Sequence, residues 1–420
     1  MIRFSTSQIY QIAINGILEQ QSRINSDYQQ LSSGRKINRP SDAPAAAARV
    51  IGLDTALERF GGWARNADNA QQSLGYESTQ LQSVTTLVNR VRTLALQMAN
   101  GTLSLQDRRN GAAIVQSYLD QLIGYANAQG PGGEYLFAGS RTHVQPFALN
   151  NGGTQVEYYG DGGQRSLPIS SGESIPVSDP GNALFMNIAD GNGTFSIEAG
   201  STNTGTATAA GNVTDPVQAA TYLQANGDSY QIRFSSGSGG LNYSVMRGPG
   251  AVGSAGWNAG ATQVASGSFS AGATINFDGL AINFAGNPAS GDTFDLNPSR
   301  GQSLFKTLLN LHSALTSAAA SPAQNARNMQ AINTVIESLD QAQTRLGSTQ
   351  AAVGTRIQAA QTAAQVNQSV QTQFKQIRSG LEDANLPQVI TRLDQASLAL
   401  QAASKAFVQM QSLSLFNYLP

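Results

Sequence analysis

The chain has no cysteine, only two histidines and two tryptophans, and few charges: Asp, Glu, Lys and Arg make up 12% of its 420 residues, about half the usual share. Without cysteine there is no disulfide, thiolate metal site or cysteine nucleophile. The 25 basic and 26 acidic residues leave a net charge of −1, so no electrostatic footprint for nucleic acid or an anionic membrane exists. No apolar run approaches the ~18–20 residues a membrane helix needs. The opening Met1–Ile17 segment has an arginine near its front, but no continuous apolar stretch or small-residue cleavage site follows, so a cleaved signal peptide is not expected.

Candidate chemistry is equally thin. His143 and His312 have no pattern of carboxylates around them, and no ligand spacing, so each reads as a packing or surface residue, His143 in a hairpin turn and His312 at a helix start. The glycines at 160–163 and 237–240 lack the phosphate-loop pattern and read as turns. Asp292 and Asp295 lack the calcium-loop spacing and read as a turn leading back to helix. No convergent polar set supports an enzyme, a metal or a cofactor, and none is expected.

What is present is periodicity. A first helix carries a heptad seam at Tyr10, Ile14, Ile17, Gln21, Ile24, Tyr28 and Leu31, whose alternating steps of four and three keep one stripe on one face. Gly34 ends it as a C-terminal glycine does. Ser41 or Asp42 then caps a second helix with Pro44 in its first turn. Its seam runs unbroken from Leu53 through Phe60, Trp63, Leu74, Glu77, Leu81 and Val88 to Met98. A helix from 43 to 100 is ~85 Å long and needs other helices along it. A third helix, 107–129, and a second long seam from Ile332 to Leu381 are the candidates. The last helix carries Leu386, Val389, Leu393, Ala396, Leu400, Ala403, Phe407 and Met410.

Between these helices, residues 190–300 hold only ten charged residues. Short alternating stretches such as Tyr230–Phe234, Leu241–Val245, Thr274–Phe277 and Leu280–Phe284 are separated by glycine-rich turns, which predicts a small antiparallel β domain. The fold class is therefore mainly α with an inserted β domain: a long antiparallel helical rod or coiled coil, a β-hairpin and a β-rich outer domain. The expected division is a terminal coiled coil (1–42 with 386–420), a rod with the hairpin (43–185 with 301–385) and the β domain (186–300).

Particular residues carry a resemblance. Leu31-Ser-Ser-Gly-Arg-Lys-Ile-Asn-Arg-Pro-Ser-Asp-Ala-Pro44, Arg90-Val-Arg-Thr-Leu-Ala-Leu-Gln-Met-Ala-Asn-Gly-Thr102 and Arg345-Leu-Gly-Ser-Thr-Gln-Ala-Ala-Val353 resemble blocks of the flagellin family in order and spacing. Gly133-Glu-Tyr-Leu-Phe-Ala-Gly-Ser-Arg141, with its core Tyr135, Leu136, Phe137, Ala138 and Gly139, is similar to a hairpin motif of the family's junction members, and the Ser414–Leu419 ending resembles the C-terminal ending of those members. The resemblance implies an extracellular structural subunit of the bacterial flagellum, exported without a cleaved signal by the type III route. It implies as partners flagellin, an adjoining hook-associated protein, further copies of the chain in a ring, and an export chaperone on the C-terminal helix. Its place would be the joint between hook and filament. Filament flagellin itself is the alternative, and a coiled-coil surface adhesin a third reading. The expected assembly interface is the terminal seam: Ile14, Ile17, Ile24, Leu31, Leu386, Leu393, Leu400, Phe407 and Met410.

Overall fold

A computed structural model describes residues 6–412 apart from 151 and 238. Among the described residues there are eight α-helices: α1 (Thr6–Ser33), α2 (Pro44–Met98), α3 (Leu105–Ala126), the short α4 (Pro216–Ala219) and α5 (Ala255–Gly260), α6 (Leu304–Thr316), α7 (Pro322–Glu382) and α8 (Leu386–Ser412). All fourteen strands lie between α3 and α6, so the class is the expected one, mainly α with an inserted β domain. The chain forms two compact units. One comprises residues up to 66, 169–171 and those from 362 onward; the other comprises 67–168 and 172–361. Helices α2 and α7 contribute a part to each.

In the first unit α1 and α8 pair antiparallel, with the Tyr10 and Phe407 rings edge to face at 5.9 Å and Asp27 3.4 Å from Arg392 further along. Gly34 stops α1 in the left-handed conformation, at φ 68. The chain leaving α1 then pairs with the chain entering α8: the Lys36 amide donates to the Glu382 carbonyl at 2.6 Å, and the Ala384 amide to the Gly34 carbonyl at 2.9 Å. Asp42 does not cap α2. Its carboxylate accepts from the amides of Asn38 (3.1 Å) and Arg39 (2.8 Å), so it closes the turn before the helix, and the bond from the Ala47 amide falls on the Ala43 carbonyl. The unit's portions of α2 and α7 meet through Phe60, whose ring is edge-on to Phe374 at 5.6 Å, and through Asp54 and Arg378 at 2.9 Å.

In the second unit α2 and α7 also run antiparallel: Arg92 pairs with Asp340, Gln343 donates to Asn89 at 2.7 Å, and Gln350 to Thr85 at 3.3 Å. Ala67, Ala70, Leu74, Leu81, Val84, Val88 and Val91 are buried along α2, and Ile332, Val335, Leu339, Leu346 and Val353 along α7. Helix α3 opens with a capping box, Ser104 Oγ accepting from the Asp107 amide and Asp107 accepting from the Ser104 amide, which satisfies donors that a helix start leaves open. It lies against α6. Arg108, 4% exposed, crosses to α6 and donates to the Ala314 carbonyl at 2.6 Å and to Asn325 at 3.0 Å. A cation at the negative end of a helix replaces a carboxylate partner.

Two small hairpins follow α3: β1 (Phe147–Leu149) with β2 (Val156–Tyr158), and β3 (Ser166–Ser170) with β4 (Glu173–Pro176). A π-helical turn spans 182–186. The chain enters the β domain through β5 (Ile188–Ala189), which pairs with the exit strand β14 (Gly301–Gln302). The intervening strands are β6 (Phe195–Ala199), β7 (Thr208–Val213), β8 (Asp228–Gly237), β9 (Gly240–Pro249), β10 (Thr262–Phe269), β11 (Thr274–Phe277), β12 (Leu280–Ala285) and β13 (Thr293–Pro298). They form antiparallel sheets of order β10-β9-β8-β13-β6 and β11-β12-β7. Tyr230, Ile232, Phe234, Phe284, Phe294 and Leu296 are buried between them, and Phe234 is edge-on to Phe269, Phe284 and Phe294. The period-two stretches at 230–234 and 280–284 put these rings on one face.

The β domain is held to α7 by polar side chains. Gln330 accepts from the Ala209 amide at 2.7 Å, Thr334 donates to the Ile197 carbonyl at 3.0 Å, Ser338 accepts from the Gly191 amide at 3.0 Å and Gln341 donates to the Asn192 carbonyl at 3.0 Å. Steps of three and four keep them in one row on the helix. A second polar network lies within the domain itself. Arg247 lies 4.0 Å over the Tyr222 ring, donates to Asp278 at 2.8 Å and sits 3.7 Å from Asp228. Asp278 has φ 42, a conformation that costs a non-glycine residue about 1–3 kcal/mol unless its surroundings hold it; Arg247 and the Tyr230 hydroxyl, 3.1 Å away, do so. Arg247→Ala should therefore cost about 3 kcal/mol, because it strands two shielded carboxylates. Urea unfolding followed by the fluorescence of Trp257, 3% exposed in this domain, measures the loss, and an unchanged midpoint would show that the network is dispensable.

Candidate assembly surfaces and the hairpin node

The terminal helices divide their apolar residues between two faces. Toward α8, helix α1 turns Tyr10, Ala13, Ile17, Gln20, Ile24, Asp27 and Leu31, all buried or half-buried. The expected seam shares Tyr10, Ile17, Ile24 and Leu31 with this set. Its alternate positions are shifted by one residue, at 13, 20 and 27 instead of 14, 21 and 28. Asp27 takes a covered place because it meets Arg392. Ile14 and Tyr28 are consequently 44% and 56% exposed, with Leu18 at 57%, and at 3.6 residues per turn these three lie within one arc of the helix.

On α8, Val389, Leu393 and Ala396 are buried, and Leu400, Ala403 and Phe407 half-buried, as the spacing predicts. Leu386 is 42% exposed, and Ile390, Leu398 and Val408 are exposed as well. The side chain of Met410 lies outside the described residues. The proposed interface residues thus fall into two groups: Ile17, Ile24, Leu31, Leu393, Leu400 and Phe407 serve the pairing of α1 with α8, whereas Ile14 and Leu386 face outward.

The motif around Tyr135 is a packing node, and it precedes the hairpin instead of forming it. Leu136, Phe137 and Ala138 are buried and Tyr135 half-buried. Phe137 is edge-on to Phe185 at 5.3 Å. Phe185 in turn meets Phe147 and Phe305 at 5.5 and 6.0 Å, and Phe147 lies 5.0 Å from Tyr158. Rings from the motif, both hairpin strands, the π turn and α6 therefore share one cluster. Backbone groups are satisfied around it. Asn127 accepts from the Phe147 amide at 2.9 Å and donates to its carbonyl at 2.8 Å, acting as a strand partner for β1. The Tyr158 hydroxyl lies within donating distance of the carbonyls of Phe137 (3.0 Å) and Asp161 (2.8 Å).

Gly139, at φ 70, leaves no room for a side chain, since a Cβ there would stand 2.3 Å from the Asp161 carbonyl oxygen. The amides of Ser140 and Gly163 donate to the Asp161 carboxylate and hold its pKa below the usual range. Sequence reading located this motif but not its partners Asn127, Asp161 and Phe305, which no local pattern links to it.

Elsewhere the polar residues singled out from sequence have structural settings. His143 is exposed in a turn, and His312 is half-buried within α6, past the middle of the helix and not at its start. Asp292 accepts from the amides of Thr204 (2.8 Å) and Ala289 (2.8 Å), stapling two loops. Asp295 lies on β13 opposite Glu198, in a strand and not in the expected turn, and accepts from Gln231 at 2.7 Å. Among the described residues no group of three or more His, Cys, Asp or Glu is placed to hold a metal ion, and no helix is long and apolar enough to cross a membrane.

Comparison with known proteins agrees with the helical frame. Residues 4–142 match the family described as the bacterial flagellin N-terminal helical region. The flagellar hook-associated protein 3 of Escherichia coli is 30% identical over 187 residues, 44% of this chain and 58% of that protein, so the chain spans under two thirds of this curated relative. The crystal structure of flagellar hook-associated protein 3 from Legionella pneumophila superposes with a TM-score of 0.69 at 28% identity, covering 79% of this chain and 98% of that one. FlgL from Xanthomonas campestris superposes with a TM-score of 0.68 at 27% identity, covering 78% and 99%. The chain is thus similar to the flagellin family over residues 4–142 and shares, over about four fifths of its length, the fold of the Legionella hook-associated protein 3 and the Xanthomonas FlgL.

Proposed function

We propose that the chain is a structural, non-enzymatic subunit of the bacterial flagellum that joins the hook to the flagellin filament. The observation that carries this reading is the pair α1 and α8: a narrow two-helix element that buries one seam and leaves Ile14, Leu18, Tyr28, Ile390, Leu398 and Val408 in water. Two helices of this length are marginal by themselves in water, and covering their outer faces with neighbouring subunits would remove the exposed apolar area. The likeness to proteins named hook-associated protein 3 favours the junction over the filament.

The neighbours are then further copies of this chain in a ring, flagellin on one side, an adjoining hook-associated protein on the other, and an export chaperone on α8 before assembly. The setting is extracellular, reached by type III export without cleavage. In this reading residues 1–42 with 386–420 form the inter-subunit coiled coil, 43–185 with 301–385 the rod, and 186–300 the outer domain. Filament flagellin is the second reading.

Electron microscopy under salting-out conditions, with and without flagellin and isolated hooks, separates the two. The junction reading expects no long filaments from this protein alone, and flagellin growth from hooks only after the adjoining hook-associated protein and then this protein are added. Long filaments of this chain alone would overturn it.

A further inference from the structure

Glu77 stands in the buried seam of α2, one turn after Leu74 and one before Leu81, and is 1% exposed. A carboxylate at such a position needs a cation or several donors. Glu77 has one donor: its Oε1 accepts from the Asp179 amide at 3.0 Å, while its Oε2 has no partner. The one cation beside it is spent elsewhere. Arg356, on α7, donates to both Asp179 carboxylate oxygens at 3.0 Å, and Gln164 adds a further bond to Asp179 at 2.8 Å. Arg165, whose carbonyl accepts from the Val177 amide, is paired with Glu134, and its Nε is buried without a partner. The cluster thus holds two carboxyl groups for one guanidinium, and the group left over is the more deeply buried one. In the same segment the Ser178 hydroxyl is buried and unpartnered.

We propose that Glu77 is a proton-operated latch on the segment 177–181: neutral Glu77 holds the segment on α2, and ionised Glu77 releases it. On ionisation the carboxyl O–H gives its proton to water, no other bond changes, and a second negative charge appears beside Asp179 without a second cation. Hydration of that charge requires the segment to lift from the helix. What the latch secures is specific. The Val177 amide donates to the Arg165 carbonyl at 2.8 Å, and the Gly181 amide to the Phe137 carbonyl at 2.9 Å. Residues 177–181 therefore tie α2 and α7 to the aromatic node on the path into the β domain.

Burial, followed by the negative charge of Asp179, pushes the Glu77 pKa up to about 8. An acid whose folded pKa is raised contributes stability that is complete below its unfolded value, near 4.5, and lost as pH rises through about 8. The latch is thus shut in mildly acidic solution and opens across neutral to mildly alkaline pH.

Hydrogen exchange of the full chain tests it. After correction for intrinsic pH dependence, exchange of the 177–181 amides should rise about tenfold or more from pH 6 to pH 9, roughly the effect of one pK unit. Glu77→Gln keeps the acceptor for the Asp179 amide but cannot ionise, so its exchange should stay at the low-pH level throughout. A pH-independent wild type, or an equal rise in both proteins, would overturn the proposal. Carboxyl carbon NMR of the wild type gives a second readout that needs no variant. A Glu77 titration midpoint in the ordinary carboxylate range, between 4 and 5, would also overturn it.

Discussion

On the junction role proposed above, Leu400→Asp, and independently Phe407→Asp, should abolish incorporation of the protein into the hook–filament joint while the second unit stays folded. Both side chains are half-buried in the seam between α1 and α8, and Phe407 is edge-on to Tyr10. A carboxylate at either place loses part of its hydration. Desolvating an unpaired ion costs several kcal/mol, and about 3 kcal/mol already corresponds to more than a hundredfold in a binding equilibrium. Few apolar contacts outside the seam hold α8 to α1, so the pair should open and its outer faces lose their geometry.

Leu398→Asp serves as the companion variant. Leu398 is 69% exposed, so this change leaves the seam intact and strikes only the outward face. It should leave the helix content of the isolated protein unchanged and still block assembly if that face packs on a neighbour. Incorporation is read by immunoblot of purified hook–filament complexes, and folding of the second unit by the fluorescence of Trp257, with Trp63 of the first unit replaced by Phe. Normal incorporation of the two seam variants would remove the terminal pair from the assembly mechanism. Normal incorporation of Leu398→Asp alone would confine the mechanism to the seam.

Phe137→Ala should destabilise the second unit by about 3–5 kcal/mol, the usual cost of emptying a buried phenylalanine site. The surroundings cannot collapse easily into the space. Phe185 is packed on its other sides by Phe147 and Phe305, and the Phe137 carbonyl accepts from the Gly181 amide, so the backbone is pinned. The urea midpoint of the second unit should fall by about 1–2 M, and the hairpin amides should lose protection from exchange. A midpoint within a few tenths molar of wild type would show the ring cluster to be loosely packed. Gly139→Ala should act by another route: the added Cβ meets the Asp161 carbonyl, and the φ of 70 is unfavourable for alanine. Its effect should therefore centre on the connection between Ala138 and Asp161, which the Asp161 amide bonds across at 3.2 Å.

Much of the frame was legible because long helices are specified by a local period. The seams from Leu53 to Met98 and from Ile332 to Leu381 became the buried or half-buried stripes of α2 and α7, Ile377 excepted, and the alternation at 230–234 and 280–284 became strands β8 and β12. Gly34 ended α1 for a reason contained in one residue, its freedom at positive φ. Heptad phase was less secure. Tyr10, Ile17, Ile24 and Leu31 are compatible with alternates at either 13, 20 and 27 or 14, 21 and 28. Hydrophobicity favours Ile14 and Tyr28, yet the fold selects the first set, because Arg392 on α8 makes a partner for Asp27. The role of Asp42 turned on a similar contest, between two sets of free amides a few residues apart.

By itself the sequence determined the helical ends, the inserted β domain, the absence of thiol chemistry and the family resemblance, because each depends on composition or on residues close along the chain. The tertiary structure decided which apolar residues pair within the chain and which remain in water. It decided that the Tyr135–Gly139 motif is a buried node, and that Glu77 faces one cation already taken by Asp179. Those outcomes rest on contacts between residues from about twenty to several hundred positions apart, such as Gly139 with Asp161, Glu77 with Asp179 and Tyr10 with Phe407. Burial and charge compensation are set there by whatever the other segment brings, and no local period encodes that.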